Sequence, residues 1–184
     1  MSKIRKAYNE FRGIKKIRPM IKYIKTLKWP DIQGVEIGVR NGDNSISILK
    51  NLDMAMLYCV DPYKPYKDIS MYYSKELQDK YYLEAFNKLG RKDNVTFIRK
   101  TSLQAKNSIP DNLDFVYVDG DHSYQGVKLD LENYWPKLRQ GGILGGDDYD
   151  GGHYYGVMKA VDCFIEKHNL VFHGGKSDWW VVKK

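Results

Sequence analysis

From Asp31 onward the chain alternates short β-branched runs with longer stretches of helical periodicity, and this alternation restricts what it can fold into. Gly34 to Val39 reads as a strand, and Asn44 to Leu52 as a helix with Ile46 and Leu49 on one face. Met56 to Val60 is a second strand, ending at Asp61-Pro62. A polar stretch with six tyrosines follows, Tyr63 to Leu89, helical in its later part. Val95 to Arg99 and Phe115 to Val118 are further strands. Tyr124 to Tyr134 carries Val127, Leu131 and Tyr134 at helical spacing, and Pro136 closes it. Gly141-Gly142 introduces a short strand at Ile143-Leu144, and Gly156 to His168 is another helix. Leu170 to His173 and Trp179 to Val182 form two strands about Gly174-Gly175. Strands that alternate with helices predict a parallel sheet with crossovers on both faces. The expected class is α/β, doubly wound: a mostly parallel seven-stranded sheet with an antiparallel C-terminal edge hairpin.

The net charge of +7 is unevenly placed. Residues 1–28 hold ten Lys or Arg against Glu10 alone, a balance of +9. The remaining 156 residues hold 20 basic and 22 acidic side chains, a balance of −2. Ile14, Ile17, Ile21 and Ile24 recur at spacings of three and four, as in an amphipathic helix with a basic outer face. The chain thus divides into a basic helical arm, 1–30, and a near-neutral domain, 31–184. The favoured role of the arm is a helix packed on the domain with its lysines in solvent. Contact with nucleic acid or an anionic membrane is the alternative. No apolar run approaches the roughly 20 residues needed to span a bilayer, and the basic N-terminus has no apolar stretch behind it to make a secretory signal. Cys59 and Cys163 sit in apolar runs without metal-ligand spacing and read as buried thiols. The expected compartment is the cytoplasm.

In open α/β sheets, ligands bind at the carboxyl ends of the strands. The first strand ends in Glu36-Ile37-Gly38-Val39-Arg40-Asn41-Gly42, directly before a helix. Gly38 lets a ligand approach the backbone, Gly42 permits a tight turn, and the helix N-terminus favours a carboxylate or phosphate. The second strand ends at Asp61, 23 residues beyond Gly38, where an acidic side chain can take both hydroxyls of a ribose. Together these features point to a nucleoside cofactor.

Two later strands end in acid: Val118-Asp119-Gly120-Asp121-His122 and Gly146-Asp147-Asp148-Tyr149. Neighbouring strands lie roughly 5 Å apart, so Asp119 is expected to face Asp147 or Asp148. Three carboxylates in one small volume repel one another, and a hard divalent cation such as Mg²⁺ relieves that repulsion. His122, three residues after Asp119, suits a general base, with an ordinary pKa near neutrality. His153 lies in a glycine-rich loop positioned to fold over a substrate. The chain has no Gly-x-Ser-x-Gly turn and no Gly-x-x-x-x-Gly-Lys loop, which removes support for hydrolase and nucleoside-triphosphatase chemistry.

Taken together, these stretches resemble a class I S-adenosylmethionine (SAM) dependent methyltransferase, with its Rossmann-like fold. The nearest likeness is the small O-methyltransferase branch of catechol, caffeoyl-CoA and macrocin O-methyltransferases and methyltransferase domain family 24, over about Gly34 to Val182. The resemblance implies that Glu36, Gly38 and Asn44 hold the methionine part of SAM, that Asp61 binds the ribose, and that Thr101-Ser102 contacts adenine. It implies Asp119 as a metal ligand beside the cofactor, with Asp147 and Asp148 as the remaining ligand pair for Mg²⁺ or another divalent cation. His122 falls where the catechol enzyme has a catalytic lysine, and Asp147-Asp148 where that enzyme has Asp-Asn. The implied reaction is in-line transfer of the sulfonium methyl to a hydroxyl of a small-molecule or glycoside acceptor.

Two other classes compete. A nicotinamide-dependent oxidoreductase would share the first strand, turn and helix together with Asp61, but it needs Gly-x-Gly-x-x-Gly, which Val35 to Ser45 lacks. A non-catalytic binding module would use the basic arm and has no need of the acidic strand ends. The tyrosine-rich segment Tyr63 to Leu89 is the expected specificity element.

Overall fold

The computed structural model describes residues 17–67, 72–150, 153–175 and 177–184. Helix α1 (Pro19–Leu27) leads into strand β1 (Ile32–Ile37), then α2 (Asp43–Asn51) and β2 (Met54–Val60). A short hairpin, β3 (Tyr66–Lys67) and β4 (Tyr72–Tyr73), precedes α3 (Lys75–Leu89) and β5 (Val95–Ile98). Next come α4 (Ser102–Ala105), β6 (Leu113–Val118), α5 (Tyr124–Tyr134), β7 (Leu138–Gly146) and α6 (Tyr155–His168). Strands β8 (His173–Gly175) and β9 (Asp178–Val182) close the chain.

Seven strands form one sheet in the order β5-β2-β1-β6-β7-β9-β8. The first five are parallel, while β9 runs antiparallel to both β7 and β8. The α/β doubly wound architecture with an antiparallel edge is therefore what the alternation of elements predicts. The central strands are buried on both faces. In β6, Val116 and Val118 pack with α5 and α6, while Phe115 and Tyr117 pack with α1 and α2 on the opposite face. This double burial explains the unbroken apolar run at 115–118.

Several boundaries shift by one or two residues, and three departures have a clear physical cause. Strand β7 spans nine residues, where only Ile143-Leu144 was expected, because its glycines are packing sites and not breakers. A Cβ at Gly145 would lie 2.3 Å from the Trp179 carbonyl oxygen, and one at Gly146 would lie 2.1 Å from that of Val118. Likewise Gly174 and Gly175 belong to β8 and pair with Trp179 and Asp178, whereas the pattern made them a turn. Helix α1 begins at Pro19, a residue pre-set for the first helical position, so Ile17 precedes it. Ile14 lies outside the described residues.

Met20, Ile21 and Ile24 of α1 are completely buried, and they share one core cluster with Ile32, Leu57, Phe115 and Ile143. The packed unit therefore includes α1, ahead of the boundary expected at residue 30. Lys22, Lys25 and Lys28 face solvent. Cys59 is buried as expected, whereas Cys163 is exposed on α6. Among the described residues, no helix is long and apolar enough to cross a membrane.

Candidate active site

The strand order reverses between β1 and β6, and the crevice outside their carboxyl ends is where such sheets bind ligands. Main-chain bonds align its floor. The Gly38 N–H donates to the Val60 carbonyl at 2.9 Å and the Asp119 N–H to Ile37 at 2.8 Å. The Asp61 N–H donates to Ile98 and the Asp147 N–H to Val118, each at 3.2 Å. Gly38, Asp61, Asp119 and Asp147 thus stand side by side where the parallel strands end.

Gly38 has φ +88°, and a Cβ there would lie 1.9 Å from the Asp119 carbonyl oxygen. Contact with the neighbouring strand end therefore demands glycine at 38, independently of any ligand. Gly42, at φ +79°, caps the amino end of α2. Between them Arg40 sits at φ +51°, held there by its surroundings. Asp61 Oδ2 accepts the N–H groups of Val39 and Arg40 at 3.1 and 3.0 Å, and its Oδ1 accepts that of Tyr63 at 2.8 Å. The Tyr63 hydroxyl donates to the Arg40 carbonyl at 2.9 Å. Asp61 is thus the anchor of the loop that follows β1. Its burial raises its pKa, and the three N–H bonds oppose that rise.

Glu36 is completely buried and accepts hydrogen bonds from the Asn44 amide at 3.0 Å and from the Ser45 hydroxyl. Burial pushes its pKa up to about 8 against those two bonds. Glu36 and Asn44 therefore tie β1 to the first turn of α2. Ser102 opens α4, whose Thr101 and Gln104 form a capping box. The Ser102 side chain bonds the buried Asp130, and its carbonyl accepts the Tyr134 hydroxyl at 2.8 Å.

The acidic strand ends divide. One ligand-capable atom from each of Asp119, His122 and Asp148 lies within 4.8 Å of the others. His122 Nε2 is 3.1 Å from Asp148 Oδ2 and 3.5 Å from Asp119 Oδ1, and its ring packs at a tilt against that of Tyr154, the centroids 4.4 Å apart. Burial, then repulsion from Asp119 and Asp147, pushes the Asp148 pKa up to about 7. Asp119 is raised too, chiefly by burial, with the His122 hydrogen bond opposing. Asp147 does not join this group. Its carboxylate takes the Ser177 hydroxyl and an ion pair with Arg18, so a cation of the chain already faces it. Of the expected set Asp119, Asp147 and Asp148, the structure groups Asp119 and Asp148 with His122 and pairs Asp147 with Arg18. His153 is exposed, and Gly151 and Gly152 of its loop lie outside the described residues.

A family profile described as a methyltransferase domain, family 24, matches residues 35–149, which is more than half the chain. The chain belongs to this methyltransferase family. Uncharacterized protein R132 of Acanthamoeba polyphaga mimivirus is 28% identical over 146 residues, covering 76% of this chain and 62% of that one. The chain thus spans less than two thirds of the length of this curated relative. Among solved structures, the O-methyltransferase NovP superposes with a TM-score of 0.65 at 20% identity, over 91% of this chain and 78% of that one. The SAH-bound Podospora anserina methyltransferase PaMTH1 gives 0.64 at 16% identity, over 90% and 76%. The chain shares their fold.

Three residues that shape the crevice were not singled out by the sequence pattern. Arg18 is one of ten cations in a basic run, with nothing in its spacing to single it out. Tyr63 lies among six tyrosines, though its place two residues after Asp61 is a usable signal. Ser177 reaches Asp147 across 30 residues, a contact made only by the antiparallel pairing of β9 with β7.

Proposed function

We propose that the protein transfers the methyl group of SAM to a hydroxyl of a small-molecule or sugar acceptor. The observation that carries this reading is the grouping of Asp119, His122 and Asp148 at the end of the crevice opposite Asp61. The crevice fits SAM. Left-handed Gly38 and Gly42 flank a loop leading into the amino end of α2, Asp61 offers a carboxylate to a ribose, and Asp119 adds negative charge for a sulfonium. In the transfer the acceptor oxygen forms a bond to the methyl carbon as the carbon–sulfur bond breaks, leaving S-adenosylhomocysteine (SAH). The hydroxyl proton goes to His122, whose imidazolium is then stabilised at Nε2 by Asp148 and Asp119. Attack on a sulfonium neutralises charge, so exclusion of water from the crevice assists it.

The same three side chains fit a divalent cation, since two carboxylates and an imidazole converge with mutual repulsion left to relieve. Such an ion supplies Lewis acidity, lowering the pKa of an acceptor hydroxyl. Arg18 already neutralises Asp147, so the cation would be held by Asp119, Asp148 and His122; the imidazole lone pair would then be given to the ion, so ion-assisted and His122-assisted deprotonation are alternative routes. The test is transfer of radiolabel from methyl-labelled SAM to panels of phenolic and sugar acceptors, with and without EDTA. Label in O-methyl products supports the reading. Label only in N- or C-methyl products, or none with any acceptor while SAH binds, would overturn the assignment to oxygen.

A further inference from the structure

The two neighbouring carboxylates at the end of β7 point to different partners, and the reason lies in the segment before α1. Both oxygens of Asp147 are engaged, Oδ1 by the Ser177 hydroxyl and Oδ2 by the Arg18 guanidinium. Arg18 itself is steadied by Asp178, 3.7 Å away. Asp178 is 1% exposed and accepts the Met20 N–H at 2.9 Å and the Tyr117 hydroxyl at 2.8 Å. One residue beyond Asp148, the Tyr149 N–H donates to the Ser177 carbonyl at 2.8 Å. Asp148 is therefore clamped on both sides. It takes φ +64°, a left-handed backbone that favours glycine and that aspartate adopts more readily than most other side chains. That turn is what sends its carboxylate to His122 while Asp147 faces Arg18.

We infer that Arg18 is a positioning residue: by holding Asp147 on the β9 side, it fixes the left-handed turn that delivers Asp148 to His122. This rests on the reading of Asp119, His122 and Asp148 as the reacting cluster. It makes the segment leading into α1 part of the site, although every motif in the sequence starts after residue 31. The inferred action is geometric, and it is distinct from the field that Arg18 also exerts on Asp148 and Asp119. A field effect and a positional effect can be separated because Arg18 and Asp147 carry opposite charges.

The test is long-range ¹H–¹⁵N correlation of histidine-labelled full-length protein at one fixed pH. His122 is assigned by its loss in His122→Gln. Asp148→Asn sets the displacement of the His122 Nε2 resonance that accompanies loss of the contact. The expected result is that Arg18→Gln and Asp147→Asn each move the resonance in that same direction. The double variant should move it no further than either single one. Arg18→Lys, which keeps the charge but not the planar fork, should give an intermediate displacement. His168, packed against Trp135 and Phe164 under the other face, should stay in place and report an intact fold. Displacements that are opposite for Arg18→Gln and Asp147→Asn and cancel in the double variant would overturn the inference. So would a His122 resonance unmoved in folded Arg18→Gln. If Arg18→Gln does not fold, Arg18→Lys and the near-isosteric Asp147→Asn decide the question alone. SAH binding by the wild-type chain is measured in parallel, so that its absence counts against the methyltransferase reading while the positional result stands separately.

Discussion

Gly38 and Asp119 meet backbone to backbone: the space a side chain would need at 38 is occupied by the Asp119 carbonyl oxygen, 1.9 Å from an ideal Cβ. The contact joins the ends of β1 and β6 at the point where the strand order reverses. Gly38→Ala should therefore fail twice, by its φ of +88° and by collision with main chain that has no freedom to move. The expected loss is more than about 3 kcal/mol of stability in urea unfolding. A loss below about 1 kcal/mol would show that the two strand ends can separate.

The apolar face of α1 is turned into the sheet, and Ile24 is completely buried. Ile24→Ala should cost about 2–5 kcal/mol in urea unfolding, as a cavity-forming core change does. Lys22→Ala, on the exposed face, should change stability by no more than about 0.5 kcal/mol. Equal, small effects would mean that α1 is only loosely attached.

Stability should depend on pH through Glu36 and Asp130. Burial raises Glu36 from an ordinary 4.5 to about 8 and Asp130 from 3.8 to about 7. Both remain protonated in the folded chain over a range where the unfolded chain has lost the proton. The unfolded state thus binds fewer protons between about pH 4 and 8, and these groups make stability fall as pH rises through that window. Glu36→Gln removes its share, so the gap in melting temperature between wild type and variant should move in favour of the variant from pH 5 to pH 8.5. A gap independent of pH would contradict the assignment.

His122→Gln and chelation address the reaction itself. With His122 as base, His122→Gln should lower methyl transfer by roughly 10²- to 10⁴-fold while SAH affinity changes by no more than a few fold. If a divalent cation is required, EDTA should abolish transfer and added Mg²⁺ or Mn²⁺ restore it, with Asp119→Asn weakening ion binding. Full turnover in EDTA would leave proton removal to His122 with Asp148 and Asp119 alone.

The parallel core of the fold was legible because strand and helix periods alternate and central strands such as 115–118 are continuously apolar. The edge was less so. Glycines at 145, 146 and 174 look like breakers in one dimension, yet they are the places where neighbouring backbone approaches most closely. In the crevice, strand ends placed Gly38, Asp61, Asp119 and the pair Asp147-Asp148 together in advance, since strand register follows from the pattern. Which of two adjacent aspartates faces His122 was not legible. That choice depends on Arg18 and Ser177, 129 positions before and 30 after Asp147, and no local pattern encodes either contact.

Calorimetric titration of SAH tests the central claim most directly, because the account places a nucleoside cofactor on Asp61 before any acceptor is known. Saturable one-to-one binding to the wild-type chain is predicted, with affinity reduced at least tenfold in Asp61→Ala, which loses both the ribose carboxylate and the anchor of the Val39–Arg40 turn. Asp148→Asn, at the acceptor end of the crevice, should bind SAH within a few fold of wild type. Absence of binding to the wild-type chain, or binding indifferent to Asp61→Ala, would contradict the account.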